Sequence, residues 1–339
     1  MHVLVTGAAG RIGSQVTHLL EGAGHKVRAL VLPADPRTDL IRAPGVEIVP
    51  GTLQDDAAIT AAMADVDAVY HLGGALTSRG NTDQEFFELN VRSTFTLLMA
   101  ARAMGTRLKR FVYASSDAVY LPGPGRAPCY LPIDEAHPRL AATVYAASKA
   151  AAEDLCFSFW RAFGVPVTVL RFGATADAAE LTTRDSVFAP WLFVRAALAH
   201  LESTSPGSPD VMESIQILRT LDDGQDHPLI FADRDGRPEV RQWADARDIA
   251  DGCVRVLAAP AAVGEAFNLG GVAPFGADQL ASYLGTRLSL APLTARLPIA
   301  RPPWYLSNAK ARGMLGYEPR RTVFDMVDDA IQAAPPRIR

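Results

Sequence analysis

Cysteine is scarce. The 339 residues hold only Cys129, Cys156 and Cys253, far apart and without a CxxC pair. That spacing excludes a disulfide framework and a cysteine-built zinc site, fits a reducing cytoplasm, and leaves no metal to expect. Long apolar runs are missing too, none reaching the roughly 18 residues a membrane span needs. The opening run His2–Thr6 stops at Gly7 with no basic leader and no cleavage site, so no signal peptide is expected there. An excess of one charge is also lacking. The net charge is −4, with both signs interspersed, which leaves no nucleic-acid footprint and no polybasic membrane patch. No internal repeat is visible. Hydrophobic residues make up 49% of the chain, enough for a sizeable core, and a small molecule is the partner to expect.

Apolar runs at 2–6, 27–32, 46–49, 67–71, 110–114 and 166–171 read as strands. Between them, 11–22, 55–63, 83–104 and 145–163 carry apolar residues at helical spacing. Strands apolar throughout, alternating with helices, predict an α/β, Rossmann-type doubly wound parallel sheet covered on both faces. After Arg171 the pattern loosens. Residues 186–200, 245–257 and 324–333 read as helices, 228–232, 239–243 and 266–269 as strands, and 202–228 as an insertion or mobile flap. The division expected is a dinucleotide-binding domain over 1–175 and a smaller C-terminal substrate-binding lobe over 176–339, interleaving allowed.

Thr6-Gly7-Ala8-Ala9-Gly10-Arg11-Ile12-Gly13 joins the first strand to the first helix. Gly7 permits the tight turn, Gly10 a close approach to pyrophosphate, and Gly13 close helix–strand packing; the helix N-terminus adds N–H donors. A glycine triplet alone is a weak signal, but between strand one and helix one it points to a dinucleotide. An acid ending strand two would hold the ribose diol of NAD, and an arginine would favour NADP. Val31, Leu32 and Pro33 stand there, followed by Asp35 and Arg37, one for each reading; NAD is preferred, with NADP possible.

Tyr145-Ala-Ala-Ser-Lys149 places tyrosine and lysine on one helix face. A nearby ammonium and a positive nicotinamide ring are expected to lower the tyrosine pKa, so that it exchanges a proton with a substrate hydroxyl while hydride moves. The bland alternative is a solvated helix face. Ser115-Ser116-Asp117 follows strand five at the carboxyl edge, where Ser116 either bonds a reacting oxygen or caps a turn.

Together these pieces resemble the extended short-chain dehydrogenase/reductase superfamily, in particular its NAD-dependent epimerase/dehydratase family. Further matches are His71-Leu-Gly-Gly74, Asn90-Val-Arg-Ser-Thr94, Phe111–Tyr120, Leu170-Arg171-Phe172, Arg247-Asp-Ile-Ala250, Phe267-Asn-Leu-Gly270 and Leu315–Pro319. The resemblance covers 1–175 closely and 239–335 loosely. It implies a catalytic trio of Ser116, Tyr145 and Lys149. It also implies backbone contacts from Arg11 and Ile12 to pyrophosphate, Thr52 and Leu53 beside adenine, and Leu72, Gly73, Gly74 and Asn90 along the cofactor. Arg241 would meet a substrate phosphate; its plain alternative is a surface ion pair with Glu239 or Asp245. The substrate implied is a sugar or nucleotide sugar, handled by an epimerase or dehydrogenase. The rivals are a carbonyl reductase of a non-sugar substrate and a catalytically silent dinucleotide sensor. Three departures qualify the match: Thr52 stands where Asp is frequent, Ala174 near a frequent Asn, and Ala118 where dehydratases carry a second acid, which argues against water elimination. Phe86, Phe87, Phe157, Phe159 and Trp160 on two helices imply a homodimer.

Overall fold

The computed structural model describes residues 1–76, 80–123, 125–204 and 207–333. Strands β1 His2–Thr6, β2 Lys26–Val31, β3 Val46–Pro50, β4 Ala68–His71, β5 Arg110–Ser116 and β6 Val167–Phe172 alternate with helices α1 Arg11–Gly22, α2 Asp56–Ala62, α3 Asp83–Phe86, α4 Ser93–Met104 and α5 Val144–Phe163. The second half adds β7 Thr175–Ala176, α6 Val194–Thr204, α7 Pro209–Leu221, β8 Leu229–Ala232, β9 Val240–Arg241, β10 Ala244–Asp245 and α8 Ala246–Arg255. It closes with β11 Ala266–Leu269, β12 Phe275–Gly276, α9 Ala277–Leu288, β13 Leu293–Arg296, α10 Ala309–Leu315 and α11 Val323–Ala333.

Seven strands pair in parallel in the order β11-β6-β5-β4-β1-β2-β3. Because side chains alternate along a strand, each face of this sheet has its own core. Val3, Val5, Val27 and Ala29 face one way and pack with Val16 and Leu20 of α1 and Ile249 and Cys253 of α8. Leu4, Val69 and Phe111 face the other way, against Leu97 and Leu98 of α4 and Cys156 and Phe159 of α5. The strand order reverses between β1 and β4, and open α/β sheets bind ligands at that crevice, outside the carboxyl ends of the strands. β11 returns to the sheet from the second half of the chain and pairs with β6.

The rest of the second half forms two further cores. Phe188, Trp243, Phe275, Leu284 and Met326 build one. Val194, Leu218, Leu229, Phe231 and Leu297 build the other, where β8 pairs with β13.

Two expectations need correction here. Residues 209–221, read as part of an insertion or flap, form α7: Ser208 caps Val211 N, Pro209 opens the helix, and Ile215 and Leu218 bury against the lobe. The helix expected over 83–104 is interrupted by a wider π-type turn at Phe87–Arg92, and Asn90 sits on that turn.

Candidate active site

The glycine loop leaves β1 at the crevice. Gly7 has φ +66°, and a Cβ there would lie 2.7 Å from Gly73 Cα, so the turns after β1 and β4 touch backbone to backbone. A Cβ on Gly13 would lie 2.1 Å from Gly7 O, so helix α1 sits hard against the loop. Among the described residues, a Cβ on Gly10 meets only Gly7 O, at 3.0 Å. Gly10 also N-caps α1 without any side-chain cap, leaving first-turn N–H groups facing that open space. An uncapped helix start beside an open cradle fits a dinucleotide pyrophosphate.

Around the loop, Thr6 Oγ1 accepts from Gly73 N at 3.1 Å and pairs with His71 Nδ1 at 2.8 Å. His71 is fully buried, and burial pushes it down to about 3, helped by the charge of Lys149. Leu53 packs over Gly73, where a Cβ would meet its Cδ1 at 2.9 Å. Thr52 Oγ1 accepts from Gln54 N at 3.3 Å, beyond the end of β3. Ile12 packs against the sheet core. The Arg11 side chain turns away toward the second lobe, pairing with Glu180 and lying over the Phe188 ring. After β2, Asp35 and Arg37 form a fork with each other, at 2.9 and 2.6 Å. Asn90 is buried: its Oδ1 accepts from Ala75 N at 2.8 Å and its Nδ2 donates to Ser148 Oγ at 2.9 Å. Its polar atoms thereby fasten the Leu72–Ala75 loop to α5.

Ser116 ends β5, and Thr143 caps Ala146 N at 3.1 Å to start α5, which carries Tyr145 and Lys149. Tyr145 lies beside Ser116, which favours the ionised phenol. The Phe86 ring meets Tyr145 edge-on at 5.7 Å, closing one side. Lys149 is buried and donates from Nζ to Ala114 O at 2.9 Å; burial lowers it to about 8, with Glu153 opposing. The tyrosine departs from expectation. Burial pushes Tyr145 up to about 12 and the Asp117 charge adds to this, while the Ser116 hydrogen bond opposes. Without a bound cofactor the phenol therefore holds its proton.

Behind the site lies a buried ionic cluster. Glu153, with no exposed side-chain surface, accepts from Arg171 at 2.9 and 2.7 Å, from Ser115 at 2.6 Å and from Arg139 at 3.1 Å. Arg171 also donates to Tyr120 Oη at 2.7 Å. This cluster ties α5 to the ends of β5 and β6.

The second lobe reaches the site through Trp304, whose Nε1 donates to Asp117 Oδ2 at 2.8 Å. Trp304 bridges to Arg241 of β9. Arg241 is not on the surface: it pairs with Glu239, only 2% exposed at its side chain, and stacks over Trp191 at 5.3 Å and Phe231 at 5.8 Å. Arg301 donates its backbone N–H to Glu239 and lies over the same Trp191 ring at 5.7 Å. Two guanidinium groups therefore flank one indole ring, and Glu239 takes the charge of Arg241 and the backbone N–H of Arg301. Burial, and then Arg301, drive Arg241 well below its ordinary pKa. Sequence reasoning missed Arg301, Trp304 and Trp191, and named Asp117 without a role. Asp117 stands in the motif that marks Ser116, but no local signal joins it to Trp304, 187 positions away.

A glycine cradle at the switch point of a doubly wound sheet, with serine, tyrosine and lysine at the neighbouring strand end, defines a protein of the extended short-chain dehydrogenase/reductase class. Residues 3–270 match the model of the NAD dependent epimerase/dehydratase family, and the chain belongs to that family. It is thus an NAD-dependent oxidoreductase or epimerase. It is 30% identical, over 99% of its length and 97% of the relative's, to a 4-hydroxy-2-methyl-3-oxo-4-farnesyl-3,4-dihydroquinoline-1-oxide ketoreductase of Stigmatella aurantiaca. It is 31% identical to a UDP-glucose 4-epimerase of Azospirillum brasilense, over 60% of this chain and 58% of that one. A short-chain dehydrogenase/reductase superfamily protein of Agrobacterium tumefaciens with bound NAD superposes with a TM-score of 0.85 at 31% identity, covering 98% and 97% of the two chains. Among the described residues no helix is long and apolar enough to cross a membrane.

Proposed function

We propose that the chain moves hydride between NAD and a carbinol carbon of a sugar or nucleotide sugar, as an epimerase or dehydrogenase, with Tyr145 carrying the proton. The convergence of Ser116, Tyr145 and buried Lys149 next to the sheet's switch point carries this reading. The Gly7–Gly13 loop would hold the pyrophosphate through the backbone of Gly10, Arg11, Ile12 and Gly13. Thr52 and Leu53 would border the adenine, and Leu72, Gly73 and Gly74 the rest of the dinucleotide. Bound NAD supplies the hydride acceptor or donor. Tyr145 holds the proton at its phenol oxygen and passes it to, or takes it from, the substrate oxygen. Ser116 bonds the same oxygen, and Lys149 brings positive charge to the phenol's side of the site. Arg241, with Arg301, supports an anionic substrate group: both guanidinium groups lie over Trp191, only Arg241 is paired with Glu239, and β9 lies one residue bridge from Trp304, which bonds Asp117 next to Ser116.

A second reading, net reduction of a non-sugar ketone, draws on two observations. The resting Tyr145 phenol is protonated and so ready to donate. The walls around Arg241 are aromatic and aliphatic, from Trp191, Phe231, Trp243, Phe275 and Leu280. A screen of nucleotide sugars, free sugars, sugar acids and apolar ketones separates the readings, with NADH absorbance and product stereochemistry both followed. Inverted product without net NADH change supports the epimerase, and stoichiometric NADH change a dehydrogenase or reductase. Turnover confined to unphosphorylated apolar ketones removes the sugar reading.

We also infer a homodimer through the α3–α4 helical run and the end of α5. Phe87, Phe95, Met99 and Phe163 are exposed there, whereas Phe86 and Phe159 bury within their own chain. A monomer mass by light scattering at micromolar concentration removes this.

A further inference from the structure

Asp117 has a partner at each carboxylate oxygen. Oδ1 accepts from Ser116 Oγ at 3.2 Å, and Oδ2 accepts from Trp304 Nε1 at 2.8 Å. Ser116 Oγ in turn accepts from Ala118 N at 3.1 Å, and the Tyr145 phenol lies beside it. A serine hydroxyl has one proton and two lone pairs, and an indole N–H can only donate. Trp304 therefore keeps Oδ2 an acceptor, so a proton bound by Asp117 belongs on Oδ1, facing Ser116. When Asp117 is ionised, the serine proton points to Oδ1, and the serine lone pairs take Ala118 N–H and the phenol or a substrate hydroxyl. When Asp117 is protonated, Oδ1–H and Ala118 N–H fill both lone pairs. The serine proton is then released toward the reacting oxygen.

We propose that Asp117 is a positioning residue that sets the donor direction of the Ser116 hydroxyl: the ionised form receives a substrate alcohol, and the protonated form donates to a substrate ketone. This rests on the reading of Ser116 and Tyr145 given above. Burial holds the Asp117 carboxyl up at about 6, against the opposing hydrogen bonds from Trp304 and Ser116, so both forms exist near neutral pH. The other groups around it are few. Tyr145 faces it from α5 and Lys149 is anchored at Ala114 O. Glu153 is matched by Arg171 and Arg139, and Arg241, matched by Glu239, lies behind Trp304.

The test titrates the Asp117 carboxyl by infrared difference spectroscopy on the NAD-bound enzyme, the band being assigned by its loss in Asp117→Asn. A neutral phenol carries no charge, so it reaches Asp117 only by donating through Ser116. Tyr145→Phe should raise the Asp117 midpoint by about half to one pH unit, the worth of one hydrogen bond. In a Ser116→Ala background the same substitution should do nothing, and Ser116→Thr, which keeps a hydroxyl, should restore the effect. Trp304→Phe should raise the midpoint independently. Equal shifts with and without Ser116, or an unmoved midpoint in Tyr145→Phe, overturn the proposal. Should Ser116→Ala not fold, the comparison of Tyr145→Phe with wild type decides alone. No substrate is needed, so the outcomes separate. An active Tyr145→Phe enzyme removes the proton-carrier reading, whereas an inactive one with an additive cycle removes only the role of Asp117.

Discussion

Gly10→Ala and Gly13→Ala separate the two duties of the glycine loop. At Gly13 an added Cβ lies 2.1 Å from Gly7 O, 2.9 Å from Gly7 C and 3.0 Å from Ala8 Cα, all of them backbone atoms. No side chain can swing aside, so the loop or the helix must move, at a cost of about 1–3 kcal/mol or more. The helix-propensity gain of alanine, roughly 0.5–1 kcal/mol, does not offset this. At Gly10 the only neighbour among the described residues is Gly7 O at 3.0 Å, and relief by a few tenths of an ångström suffices. Gly10→Ala should thus stay within about 1 kcal/mol of wild type in urea unfolding, since the strain falls below an overpacked core substitution. Its methyl group nevertheless occupies the pyrophosphate's approach, and NAD affinity should fall by at least about 100-fold, roughly 2.7 kcal/mol. Gly13→Ala should lose both stability and affinity. Calorimetric NAD titration beside urea melts reads both quantities. Wild-type NAD affinity in Gly10→Ala refutes the placement of the pyrophosphate.

Three further outcomes follow from the surroundings of the site. Arg171→Met leaves Glu153 with Arg139 as its remaining cation, beside the Ser115 hydroxyl, and should cost about 3–5 kcal/mol in urea unfolding; a loss under 1 kcal/mol contradicts the buried cluster. His71 titrates near 3 when folded against 6.5 when free, so the unfolded chain binds the extra proton between those values. Stability should therefore fall as pH drops across that window, by up to about 5 kcal/mol, and His71→Gln should flatten this limb of the curve; an unchanged slope counts against it. Arg241→Lys keeps the charge beside Glu239 but loses the fork, so KM for a nucleotide sugar should rise about tenfold or more with kcat held. Equal KM values for that variant and wild type remove the phosphate role.

The sheet was legible because β1, β2, β4, β5 and β6 are mostly buried and read as predominantly apolar runs, broken only by residues such as Arg28 and Thr168. The glycine loop was legible because its geometry is local. Less of the second half could be read. Helix α7 does carry apolar residues, Val211, Met212, Ile215, Ile217, Leu218 and Leu221, but its start signal, Ser208-Pro209, has the composition of a loop. Helix α9 was passed over although Leu280 and Leu284 bury at helical spacing. The π-type turn at Asn90 leaves no mark in the apolar pattern. In the site, Ser116, Tyr145 and Lys149 could be named from spacing, but their protonation could not. The upward shift of Tyr145 comes first from burial and then from Asp117, which depend on packing. The link from Arg241 through Trp304 to Asp117 joins distant segments and exists only in the folded chain.

The most direct test of the account is Tyr145→Phe, assayed for hydride transfer with the substrate found by the screen. The substitution removes one phenol oxygen and leaves the ring that meets Phe86 in place. The fold and NAD affinity should hold, and kcat should fall about 10²–10⁴-fold, the usual worth of a general acid–base group. A Tyr145→Phe enzyme that binds NAD normally and turns over at the wild-type rate would contradict the account at its centre.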